Sequence, residues 1–183
     1  AVDLGGGVWS VTLPALPATF LAPLNDSTAI PTDTAHADPY GEWKGLPLDF
    51  VAFHAKGSPR YVDGHVRMGI AAQLATIDQG FRTIASFPDL KRTPIVIGES
   101  DPEGCAACQG PPLAYRNGTM YSSYTAASFA RKHDLARRHG VNLEGALTWA
   151  FEFEDQPYFA GFRALASNAL ALPVLNVFRM FSM

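Results

Sequence analysis

From Leu46 onward the chain alternates short, almost wholly apolar runs with longer segments whose apolar residues recur every three or four positions. This alternation constrains the fold more than any other feature. A continuous apolar run suits a parallel strand covered on both faces, and a 3.6-residue stripe suits the helix that covers it. An α/β class built from βα units follows.

The runs Leu48-Asp49-Phe50-Val51-Ala52-Phe53-His54, Pro94-Ile95-Val96-Ile97-Gly98-Glu99 and Gly145-Ala146-Leu147-Thr148-Trp149-Ala150-Phe151 predict three strands. A helix is predicted from about Gly64 to Phe87, because Val66, Ile70, Leu74, Ile77, Phe81 and Ile84 fall on one stripe. A second runs from about Met120 to His139 and ends at Gly140, a C′ glycine. The last opens at Pro173, with Val174, Val177, Phe178 and Phe181 in register. Residues 1–45 carry Pro14, Pro17, Pro23, Pro31 and Pro39 and are expected to be irregular or poorly ordered, which leaves 46–183 as the α/β domain. Three βα units cannot close an eight-stranded barrel, which takes about 250 residues. The domain therefore reads as incomplete. A small doubly wound sheet would carry a Gly-rich turn after its first strand, and none is present.

A net charge of -3, with 14 scattered Lys and Arg, provides no basic surface for nucleic acid. Charges interrupt every apolar run before the roughly 18 residues of a membrane span, so a soluble protein is expected. The opening Ala-Val-Asp leaves the compartment open, and nothing indicates an oligomeric state. Cys105 and Cys108 lie in a Gly-containing loop and read as a thiol-disulfide motif, half a zinc site or a local loop clamp. The Gln109-Gly110-Pro111-Pro112 that follows opposes the helix a redox motif needs, which favours the clamp. No metal and no cofactor is implied.

Ligands of parallel βα proteins bind where the strand-to-helix loops converge, at the C-terminal strand ends. Those ends hold His54 and Lys56, then Glu99, then Trp149, Glu152 and Asp155. A glutamate closing an apolar strand suits a nucleophile at a site mouth; a surface glutamate paired with a neighbouring cation is the plainer alternative. His54 is read equally as a hydrogen-bonded strand-end residue, whereas Lys56 leans toward a substrate contact, with an ion pair to an acidic loop residue as the plainer alternative. Trp149 and its aromatic neighbours suit either a sugar-stacking platform or the core.

The segments Asp49 to Gly57 (DFVAFHAKG), Pro94 to Pro102 (PIVIGESDP), Trp149 to Arg163 and Pro173-Val174-Leu175 resemble the last three strand regions of glycoside hydrolase family 39. That family includes β-xylosidases and α-L-iduronidases. The resemblance implies the C-terminal part of a (β/α)8 barrel and a retaining glycosidase with Glu99 as nucleophile. It assigns substrate contacts to His54, Lys56, Glu152, Asp155 and Trp149, with a carbohydrate as the partner. It also implies an acid/base glutamate following an asparagine, and no Asn-Glu pair occurs in the sequence. A β-xylosidase-like activity on terminal xylosyl or related sugars is the leading expectation. An α-L-iduronidase-like uronide hydrolase and a catalytically incomplete, sugar-binding remnant are the alternatives.

Overall fold

A computed structural model of the protein describes residues 2–3, 9–10, 49–149 and 155–183. The chain forms two compact units, Ala1–Leu48 and Asp49–Met183. In the first, β1 (Val2–Asp3) pairs antiparallel with β2 (Trp9–Ser10). The rest of the segment expected to be irregular lies outside the described residues.

The second unit is mixed α/β. Its centre is a three-stranded parallel sheet of β3 (Val51–His54), β6 (Ile95–Glu99) and β7 (Leu143–Ala146), in sequence order with β6 in the middle. Helix α1 (Ile70–Ala85) joins β3 to β6, α2 (Thr119–His139) joins β6 to β7, and α3 (Pro173–Phe181) closes the chain. The covered face of the sheet presents Ile95 and Ile97 to Ile77, Phe81 and Ile84 of α1 and to Leu135 and Ala136 of α2. Each of the isoleucine, leucine and phenylalanine side chains removed from water stabilises the fold by roughly 1.5–3 kcal/mol. Phe50, Leu147 and Trp149 are exposed, and β3 and β7 each have one edge without a strand partner among the described residues.

The first helix is shorter than its stripe. Residues 60–67 instead form a hairpin of β4 (Arg60–Val62) and β5 (His65–Arg67), and Val66 belongs to β5 rather than to α1. The reason is local: Asp63 and Gly64 both take positive φ, 51° and 78°, which suits the tight two-residue turn favoured by Asp-Gly. Gly69 then caps α1 in the left-handed region. The last strand also differs, spanning 143–146 instead of reaching Phe151, although the N–H of Leu147 still donates to the Ile97 carbonyl at 2.9 Å. Gly140 ends α2 at φ 64°, as the sequence requires, and α3 opens at Pro173.

A second core lies under the long loop after β6. Tyr115, from a 3-10 turn at Pro111–Asn117, packs with Tyr121, Ala164, Leu172 and Val174. Phe129 of α2 stacks on Phe181 and meets Phe178 edge-on, docking α3 against α2. No helix among the described residues is long and apolar enough to cross a membrane.

Lys132 is an exception within this packing. It is buried, with Nζ 4.6 Å from the Phe129 ring centroid, and burial pushes its pKa down to about 7 from an ordinary 10.5. Between those values the unfolded chain holds a proton that the folded chain does not, so stability rises with pH across that window and falls as pH drops toward 7. Lys132→Met should therefore stabilise the protein at pH 7 by a few kcal/mol, on the order of 3, and less at pH 9. Urea titrations at pH 6, 7, 8 and 9 test this; a wild-type stability that does not climb over the range would contradict it.

Candidate functional site

The C-terminal strand ends are drawn together by a polar residue in an otherwise apolar helix stripe. Gln73 of α1 is fully buried, and its Nε2 donates to the carbonyl of Ala55 at 3.0 Å, to Ser100 Oγ at 3.3 Å and to the carbonyl of Asp101 at 3.3 Å. Ser128 of α2 returns a hydrogen bond to Gln73 Oε1 at 2.6 Å. One side chain thereby binds the exits of β3 and β6 to both covering helices. A buried amide with all these partners satisfied stabilises, whereas one left unpaired costs about 1–3 kcal/mol.

Glu99 ends the central strand and lies opposite His54 after a register shift between Phe53 and His54. Lys56 reaches across from the β3 exit. Its Nζ is 2.6 Å from Glu99 Oε2 and 2.5 Å from Asp101 Oδ2. His54 Nδ1 stands 3.7 Å from Glu99 Oε1, close enough for charge contact but beyond hydrogen-bond reach, and its side chain is largely exposed. Gly57 is required beside Lys56: a Cβ there would come within 2.5 Å of both the Pro102 carbonyl and Tyr124 Oη.

Behind Glu99 the loop carries two more carboxylates, at alternate positions. Asp101 is fully buried. Its Oδ1 accepts from Thr148 Oγ1 at 2.5 Å and from the Trp149 N–H at 3.0 Å, and the guanidinium of Arg163 faces Oδ2 at 3.6 Å. Glu103 Oε1 accepts from Tyr115 Oη at 2.9 Å and lies 2.8 Å from Arg163 and 2.9 Å from Arg116, while Oε2 accepts from the Cys105 N–H at 2.8 Å. Glu99, Asp101 and Glu103 thus meet Lys56, Arg163 and Arg116 as three anions against three cations. The pairs around Asp101, Glu103, Arg116 and Arg163 are buried and persist because each partner neutralises the others, while Lys56 and Glu99 remain partly exposed. The neighbouring Tyr115 hydroxyl is pushed far above its ordinary pKa by burial and by the Glu103 carboxylate, so it serves as a donor.

The expected site residues divide as follows. His54, Lys56 and Glu99 come together at one end of the sheet. Trp149 stands at the same end through its backbone, with its N–H on Asp101 and its carbonyl accepting from Arg163 Nε at 2.8 Å. Glu152 lies outside the described residues. Asp155 is exposed at φ 56°, in a turn. Among the described residues no cluster of His, Cys, Asp and Glu suits a metal ion.

Cys105 and Cys108 form a disulfide, which fits either a loop clamp or a thiol-disulfide motif among the readings of that pair. Sequence reasoning missed Gln73, Asp101, Arg116 and Arg163. The signal for Asp101 was the acidic alternation Glu99-Ser100-Asp101-Pro102-Glu103, and for Gln73 the single polar residue among the apolar positions of α1.

No protein-family model matches the chain, and no curated protein matches it significantly.

Because Asp101 is shared by Lys56, Thr148, the Trp149 amide and Arg163, Asp101→Asn should destabilise the protein by about 3–5 kcal/mol, the usual cost of stripping a buried pair of one partner. Combining it with Lys56→Met should cost less than the two single effects added together, since both remove the same contact. A urea double-mutant cycle measures this, and strict additivity would mean that the Lys56–Asp101 contact contributes nothing.

Proposed function

We propose that this chain is part of a retaining glycoside hydrolase related to the β-xylosidases of glycoside hydrolase family 39, in which Glu99 attacks the anomeric carbon of a terminal xylosyl or related sugar. The observation that carries the reading is the placement of the Glu99 carboxylate. It stands at the C-terminal end of the central strand of a parallel sheet, ion-paired with Lys56 and backed by a buried, neutralised acidic loop. Ligands of parallel βα folds bind at that end. The exposed Phe50, Leu147 and Trp149 beside the strands, and the edges of β3 and β7 that have no strand partner among the described residues, further support the reading that these units belong to a larger (β/α)8 barrel.

In the proposed reaction a Glu99 oxygen bonds to the anomeric carbon as the glycosidic C–O bond breaks, and the leaving oxygen takes a proton from a second carboxylic acid. Water, deprotonated by that same residue, then hydrolyses the glycosyl ester. Neither carboxylate of the Glu99 loop suits the proton donor. Asp101 is fully buried and Glu103 nearly so, and both accept hydrogen bonds from several donors. Glu144 lies near the start of β7, toward the opposite end of the sheet. The acid/base group is proposed to come from strands beyond those described.

Lys56 favours a neutral sugar over a uronide. Its ammonium already contacts two carboxylates, and a uronate would add a third anion to the same cation.

General acid catalysis contributes about 10²–10⁴-fold, so the chain by itself should release dinitrophenol slowly from dinitrophenyl xyloside and leave alkyl xylosides and xylobiose intact. Glu99→Gln, close in size but unable to attack, should abolish the residual release. Efficient cleavage of xylobiose would mean that this chain contains the acid/base residue, and dinitrophenol release that survives Glu99→Gln would place the nucleophile elsewhere.

A further inference from the structure

We infer that the Cys105–Cys108 disulfide is a redox-sensitive latch on the Glu99 site, with Glu103, Arg116 and Arg163 as the positioning residues that connect them. Its effect on turnover rests on Glu99 being the nucleophile; its effect on geometry does not.

The disulfide closes a ring of four residues, and this tight loop turns several of its carbonyls toward one buried guanidinium. Arg116 Nη1 donates to the carbonyls of Ala106 at 3.0 Å and Cys108 at 2.6 Å, and Nη2 donates to the carbonyl of Cys105. The Arg163 N–H donates to the Ala106 carbonyl at 2.9 Å, so the clamped loop also anchors the segment bearing Arg163. From there the connections are continuous. Arg163 holds the Glu103 side chain and the Trp149 carbonyl, the Trp149 N–H holds Asp101, and Asp101 holds Lys56 against Glu99. A loop that opens withdraws acceptors from the Arg116 guanidinium and from the Arg163 backbone N–H together; the buried Arg116 must then find others or drag Glu103 with it, and the backbone that positions the Arg163 side chain loses its anchor.

Both cysteines are exposed, and Cys105 and Gln109 line an open groove of about 470 Å³ that Ser58 and Pro59, just past Lys56, border from the other side. A small dithiol can reach the bond there. It gives up two electrons and two protons, the S–S bond breaks to two cysteine thiols, and the reductant leaves as its own cyclic disulfide.

The test is amide hydrogen exchange on the full chain, oxidised and reduced with dithiothreitol, together with the Cys105→Ser/Cys108→Ser double variant. The reporter is the Trp149 amide, over forty residues from the disulfide; the control is the Leu147 amide, bonded within the sheet to Ile97. Reduction should speed exchange at Trp149 by about tenfold or more, reversibly, with Leu147 unchanged. The double variant should match the reduced protein; if it does not fold, reduction and reoxidation of the wild type read the same amide. Faster exchange confined to residues 104–109 would reduce the disulfide to a local staple and overturn the latch, as would equal acceleration at Trp149 and Leu147, which reports general unfolding. In an active hydrolase containing this chain, reduction should lower kcat. Should Glu99→Gln leave that activity intact, the catalytic reading fails while the exchange result still decides the latch.

Discussion

The arrangement of the strand ends depends on keeping one carboxylate ionically satisfied without water. Asp101 is wholly removed from solvent, and an isolated carboxylate cannot remain there at acceptable cost. Its partners come from separate stretches of chain: Lys56 after β3, Thr148 and Trp149 after β7, and Arg163 from the final loop. Satisfying Asp101 therefore brings together the exits of all three parallel strands, and Glu99, two residues earlier, is aimed by the same Lys56 that neutralises Asp101.

Two kinds of packing divide the work. The apolar core of Ile77, Phe81, Ile84, Ile95 and Ile97 decides that the helices cover the sheet, but it is tolerant of sliding because apolar contact is non-directional. The directional contacts lie at the C-terminal ends, where Gln73 and the Glu99–Asp101–Glu103 loop specify distances that burial alone would leave loose. A site that must hold a carboxylate at one position against a substrate needs this second kind of constraint.

Much of the fold was legible because periodicity is local. The parallel runs ending at His54 and Glu99, Gly140 as a helix stop and Pro173 as a helix start all follow from residues a few positions apart. The hairpin at 60–67 was also written locally, in Asp63-Gly64, but Val66 happened to continue the stripe of α1 and the helical period absorbed it.

By itself the sequence determined the α/β class, the order of the three parallel strands and the helices that follow them, and the presence of Glu99, His54 and Lys56 at strand ends, because those follow from side-chain period and from where apolar runs stop. Tertiary structure decided which carboxylates are buried and which cations meet them. Lys56 and Asp101 are 45 positions apart, and Arg163 and Glu103 are 60. No local pattern encodes such pairings. They exist because the parallel crossovers return each strand end to the same edge of the sheet, where desolvation forces opposite charges to find one another.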